Sequence, residues 1–252
     1  MVVSRVEATT YAALFVLTTV AWLTVLRMPM DHAAMAGMQM RMAPTAADAL
    51  AYVAAWAVMM TAMMLPSAAP MIALYAATHR RADVSAPARA TAVSGFAAMY
   101  LVVWAATGVP AYFGGLGLMA SSPGLLAYVT AGVLIVAGVY QLSPLKRMCL
   151  RHCRSPIGFL LGRWRGGFRG ALAMGWAHAW YCVGCCWALM LVLVVAGAMG
   201  LPWVLFIACI VAGEKLLPGG ERIAWVTGVL LGLLGVAVAL YPNLAVTLRA
   251  TS

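Results

Sequence analysis

The chain has 252 residues, of which 65% are hydrophobic and only 9% charged, and it carries a formal net charge of +10. An ordinary globular domain is about 45–50% apolar and about 25% charged, so a water-soluble fold could not cover this much apolar surface. The composition excludes coiled-coil, nucleic-acid and secreted disulfide-framework readings, and predicts an all-α, polytopic transmembrane helix bundle.

Apolar stretches near the roughly 20 residues needed to cross a bilayer fall at 9–26, 49–77, 91–113, 124–142, 170–196, 201–217 and 223–241. That predicts about seven helices, the sixth being the shortest. No small-residue cleavage site follows the first stretch, which is therefore expected to stay as a helix. No linker is polar enough to separate two domains, so residues 1–252 are expected to form a single transmembrane domain. It has a Met-rich loop at 28–47 and a basic loop at 143–169.

The loop after the first helix reads MPMDHAAMAGMQMRM and holds Met28, Met30, Met35, Met38, Met40 and Met42 beside Asp31 and His32. An exposed loop gains nothing from large thioethers as filler, although burial at the membrane interface is a rival explanation. Thioethers suit a soft ion such as Cu(I). Unlike thiols, they do not form disulfides in an oxidising compartment. The loop is expected to capture metal.

Helix two carries Trp56 and then Met59, Met60, Met63 and Met64, two i, i+4 pairs, ahead of Pro66 and Pro70. The prolines predict a kink or break beyond Leu65. The basic loop contains CLRHC, in which Cys149, His152 and Cys153 place two thiols and an imidazole within one turn. Cu(I) suits this set, and Zn(II) is possible. Helix five contains YCVGCCW. At about 100° per residue, Cys182, Cys185 and Cys186 share a face with His178. His178 to Cys186 spans about 12 Å of helix, whereas metal–ligand bonds are only about 2.0–2.3 Å. One ion cannot use all four groups, so either two ions bind, or one ion takes part of this face and a ligand from another helix, with Met60, Met63 or Met64 favoured. Cys209 stands alone and reads as a small apolar side chain. Glu214 beside Lys215 reads as an interface anchor.

Basic residues orient such a chain, because cytoplasmic loops are rich in Lys and Arg. Alternating spans put Arg5, Arg80, Arg81, Arg89, Lys146, Arg147, Arg151, Arg154, Arg163, Arg165, Arg169, Lys215 and Arg222 on one side, against Arg27, Arg41 and Arg249. The N-terminus is expected to be cytoplasmic, the C-terminus external, and the location a bacterial inner (cytoplasmic) membrane. The positive charge then needs no nucleic acid.

The segments WAVMMTAMMLPSAAP, YQLSPLKRMCLRHCRSPIGFL, GWAHAWYCVGCCWALM and EKLLPGG occur in that order. Together they resemble a family of bacterial integral membrane proteins described only as predicted metal-binding. The resemblance covers roughly 50–240. It rests on Trp56, Met60, Met63, Met64, Pro66, Pro144, Lys146, Cys149, Cys153, Arg154, Cys182, Cys185, Cys186 and Trp187. His178-Ala179 departs from the family's His-Gly, and the Met-rich loop lies outside the match. The resemblance implies a metal site and no particular reaction.

The residues therefore predict a membrane protein that binds Cu(I) and transports or delivers it. The lipid bilayer and the metal ion are its partners, and a partner subunit or soluble metal chaperone could exchange the ion. Two rival readings are a metal- or thiol-dependent oxidoreductase subunit, and a structural or assembly subunit of a larger membrane complex.

Overall fold

The computed structural model describes residues 5–28, 45–81, 84–197 and 200–250, and every regular element among them is helical. Except for Met28, which is half-buried, the capture-loop residues Met30, His32, Met35, Met38, Met40 and Met42 lie outside the described residues. The helices are α1 (Arg5–Arg27), α2 (Ala46–Arg81), α3 (Ala86–Ala106), α4 (Gly108–Met119) and α5 (Pro123–Leu142). They continue as α6 (Pro144–Arg154), α7 (Pro156–Arg163), α8 (Gly167–Ala196), α9 (Leu201–Leu216), α10 (Gly220–Leu240) and α11 (Asn243–Ala250).

Among the described residues, six segments are long and apolar enough to cross a membrane: α1, α2, the nearly continuous α3–α4 run, α5, α8 and α10. The expected sixth span, α9, has 16 residues and is about 24 Å long at 1.5 Å per residue, short of a roughly 30 Å hydrocarbon layer. Outward-facing Phe15, Leu161, Leu233 and Leu240 leave a strongly apolar surface, as lipid-facing helices require.

Of the kink or break expected in helix two, the break does not occur. α2 runs unbroken through Pro66 and Pro70. Each proline removes only one ladder bond, to the carbonyls of Ala62 and Pro66. Packing against α1, α3, α4, α7 and α9 holds the helix together. The interruption falls instead at Thr107, between α3 and α4. Its hydroxyl donates to the Trp104 carbonyl at 2.6 Å and accepts from Trp56 Nε1 at 3.0 Å.

α8 is the central helix, buried along most of its length and packed against α3, α4, α5, α6, α9 and α11. Small residues let helices approach closely where no hydrophobic effect drives them together. At Gly175 a Cβ would collide with the Phe96 carbonyl oxygen, so α8 and α3 touch backbone to backbone there.

The chain leaves the end of α8 at Ala196 and returns along α9. From Leu201 to Lys215 the rise is about 21 Å, the same as from Cys182 to Ala196. α9 is thus a half-length helix that ends level with the cysteines.

Candidate metal centre

α6 brings the first outside thiol to α8. It is strongly amphipathic, and Ser143 caps it by accepting from the Lys146 amide at 3.1 Å. Lys146, Cys149, Leu150 and Cys153 follow the i, i+3, i+4, i+7 spacing of one helix face. That face lies on α8, where Lys146 and Leu150 are fully buried. Cys153 Sγ is 3.7 Å from Cys185 Sγ, and Cys185 Sγ is 3.3 Å from Cys186 Sγ. Cys185 also donates to the Cys182 carbonyl at 3.2 Å. Cys182, Cys185 and Cys186 are each at most 1% exposed.

The polar partners of this thiol group come from two further helices. Tyr100 of α3 places its hydroxyl 3.0 Å from Cys182 Sγ and 3.3 Å from the Met64 carbonyl. Lys215 of α9 places Nζ 2.8 Å from Cys182 Sγ and 3.3 Å from Ser67 Oγ. Helix two and the thiols therefore lie at one level. The bridges between them are Tyr100 and Lys215, neither of which the sequence reading singled out. Met60, Met63 and Met64 are fully buried beside this level.

The interface-anchor reading of Glu214 is overturned. Glu214 is fully buried, and its carboxylate accepts from Lys146 Nζ at 2.5 Å and from Gln141 Nε2 at 2.7 Å. Lys146 Nζ also donates to the Cys185 carbonyl at 2.5 Å. Burial pulls the Lys146 ammonium pKa down, but the Glu214 carboxylate together with the nearby Cys186 and Cys185 holds it above the ordinary lysine value. This ion pair ties α5, α6 and α9 to the backbone of the thiol segment. Arg154 donates to the Glu214 carbonyl at 2.6 Å, capping the end of α9.

The EKLLPGG segment has a local explanation in the same contacts. Gly219 takes φ +84°, a conformation that disfavours side chains. A Cβ on Gly220 would collide with the Glu214 carbonyl and the Arg154 guanidinium.

The remaining expected ligands are not gathered. His178 is buried among the rings of Phe96, Tyr100 and Phe159, and its Nδ1 has no hydrogen-bond partner among the described residues. Cys149 is half-buried against Gly184, and burial pushes its thiol pKa up. His152 is exposed, stacked on Tyr181 at 4.5 Å, with Nδ1 2.9 Å from the Met148 carbonyl. The CLRHC stretch is thus divided, with Cys153 facing the thiols and His152 facing outward. Cys209 is exposed and stands apart. Among the described residues, no three His, Cys, Asp or Glu side chains form a ready-made metal cage.

What sequence reasoning missed is the charged lining. An ionisable residue buried among apolar helices is expensive and so marks a site. The adjacent Glu214 and Lys215 at the end of an apolar stretch carried that signal.

No curated protein and no solved structure matches the chain. A family model, PpoB2, described as a copper chaperone, matches residues 53–238. That range includes the α2 methionines, CLRHC, the α8 cysteines and the Glu214–Lys215 pair, and begins after the Met-rich loop. With well over half of the chain matched, including every group of the thiol centre, the protein belongs to the PpoB2 family of copper chaperones.

Proposed function

We propose that this chain is an integral membrane protein that binds Cu(I) at Cys153, Cys182, Cys185 and Cys186 and hands it on as cargo. The observation that carries this reading is the meeting of Cys153 from α6 with Cys185 of α8, at an Sγ–Sγ distance of 3.7 Å, with Cys186 Sγ 3.3 Å beyond Cys185 Sγ. Soft thiolates favour Cu(I). With metal–sulfur bonds of about 2.3 Å, ligands around a three-coordinate ion sit about 4.0 Å apart. The thiols must spread by about 0.3–0.7 Å and rotate to close around an ion.

Electrostatics supports the same reading. Three thiolates around one Cu(I) carry a net charge of −2, and burying such a charge is costly unless it is at least partly paired. The Lys215 ammonium, 2.8 Å from Cys182 Sγ, supplies the opposite charge. The Glu214–Lys146 pair is self-compensating and leaves Lys215 for the thiols.

In this proposal the N-terminus is cytoplasmic, the C-terminus external, and the membrane is the bacterial inner membrane. The external Met-rich loop captures the ion, Met60, Met63 and Met64 lie beside its path, and Cys149 and His152 serve exchange with a partner subunit or soluble chaperone. Metal analysis of purified protein tests the centre. The wild type is expected to retain copper and a variant with serine at 182, 185 and 186 to lose it. Equal, near-zero copper in both would overturn the proposal. Competition with Zn(II) in the same assay tests the alternative cargo.

A further inference from the structure

A cavity of about 220 Å³ opens between α2, the α3–α4 interruption and α8. Trp56, Trp104, Trp187, Met190, Thr107 and Pro110 are among the residues that line it. One water occupies about 30 Å³ of liquid, so this space is far larger than a packing defect.

Three observations distinguish the cavity from an ordinary gap. Met190 follows Cys186 by four residues on α8, so its thioether stands about 6 Å further along the same helix face. Three indoles border one space, and a cation is attracted to an indole face by the ring quadrupole, most strongly where water is excluded. Finally, the helix interruption lies at the cavity. The Ala106 carbonyl would receive its helical hydrogen bond from residue 110, and Pro110 has no N–H to give. Membrane helices tolerate such freed backbone where it lines a site.

No carboxylate lines the cavity among the described residues. A hard, strongly hydrated cation has nothing there to replace its water. A thioether and indole faces are soft partners, suited to a large polarisable monovalent ion.

We propose that this cavity is a second, thiol-free station for a soft monovalent cation, held by the Met190 thioether and the faces of Trp56, Trp104 and Trp187. From there the ion passes down α8 to Cys186. The proposal rests on copper as the chain's cargo, but not on the thiols being its tight site. Without an anion the station holds the ion weakly, and the thiols below, with their charge, hold it more firmly. The ion therefore moves down a gradient of affinity.

Ag(I), a redox-inert soft monovalent ion, is the probe, titrated into the full chain in chloride-free detergent solution. In the Cys182→Ser, Cys185→Ser, Cys186→Ser background, Ag(I) is expected to quench indole fluorescence saturably. Adding Met190→Leu is expected to weaken that quenching by about tenfold or more, the loss typical of even an outer-shell metal partner. Quenching that is unchanged by Met190→Leu overturns the proposal. If the triple variant does not fold, the thiol-intact chain decides. There Met190→Leu is expected to slow the rise of the silver–thiolate absorption, and an unchanged rate overturns the proposal. Quenching that survives in a chain whose thiols take up no Ag(I) leaves this station standing and removes the thiol centre instead.

Discussion

Lys215 Nζ lies 2.8 Å from Cys182 Sγ, the only buried ammonium among the described residues that meets a thiol and no carboxylate. Methionine matches the volume of lysine closely, so Lys215→Met removes the charge while filling the space. The charge compensation for a copper–thiolate group then disappears. Cu(I) affinity is expected to fall about 10–100-fold, read by competition with a chromophoric Cu(I) chelator. An unchanged affinity would mean that the ammonium is structural only.

Cys153 is the one thiol that reaches the α8 group from another helix. Cys153→Ser is expected to lower Cu(I) affinity by a similar factor while leaving the α8 thiols in place. His152→Ala is expected to leave equilibrium affinity unchanged, because His152 faces outward and stacks on Tyr181. The same chelator competition separates the two, and equal losses would contradict the assignment.

The helical class was legible because bilayer spans leave long apolar runs, and the clustering of thiols on α8 followed from a simple 3.6-residue period. The partners were not legible. Tyr100, Lys215 and Gln141 reach the thiol region only through packing between helices distant in sequence, and no local period reports that. Lys146 and Lys215 were counted as loop charges because basic residues at span ends ordinarily face water. Here α6 and the half-length α9 turn them inward. The break was misplaced because prolines are the visible helix breakers, whereas α2 is supported by packing on several helices and the run through Thr107 is interrupted.

Glu214 and Lys146 form a fully buried ion pair at 2.5 Å. Removing one member strands the other charge, which costs about 3–5 kcal/mol, whereas replacing both by apolar or neutral groups often costs little. Glu214→Gln is therefore expected to be strongly destabilising. Adding Lys146→Met is expected to recover much of the loss despite deleting the bond to the Cys185 carbonyl. A double-mutant cycle on thermal unfolding in detergent measures the coupling. Additive losses would show that the pair is not a unit.

Gly175→Ala is expected to damage stability and metal binding together. Its Cβ would overlap the Phe96 carbonyl oxygen, and backbone cannot rotate aside as a flexible side chain can. α3 must move off α8, at a cost of about 1–3 kcal/mol for overpacking. Tyr100 lies four residues after Phe96 on α3, so the same displacement lengthens its 3.0 Å contact with Cys182. Gly132→Ala on α5 is the control, since a Cβ there meets nothing within 4 Å. That substitution is expected to leave both the unfolding temperature and Cu(I) affinity intact. If Gly175→Ala and Gly132→Ala lowered the unfolding temperature equally, close α3–α8 contact would not be what positions Tyr100 at the thiols.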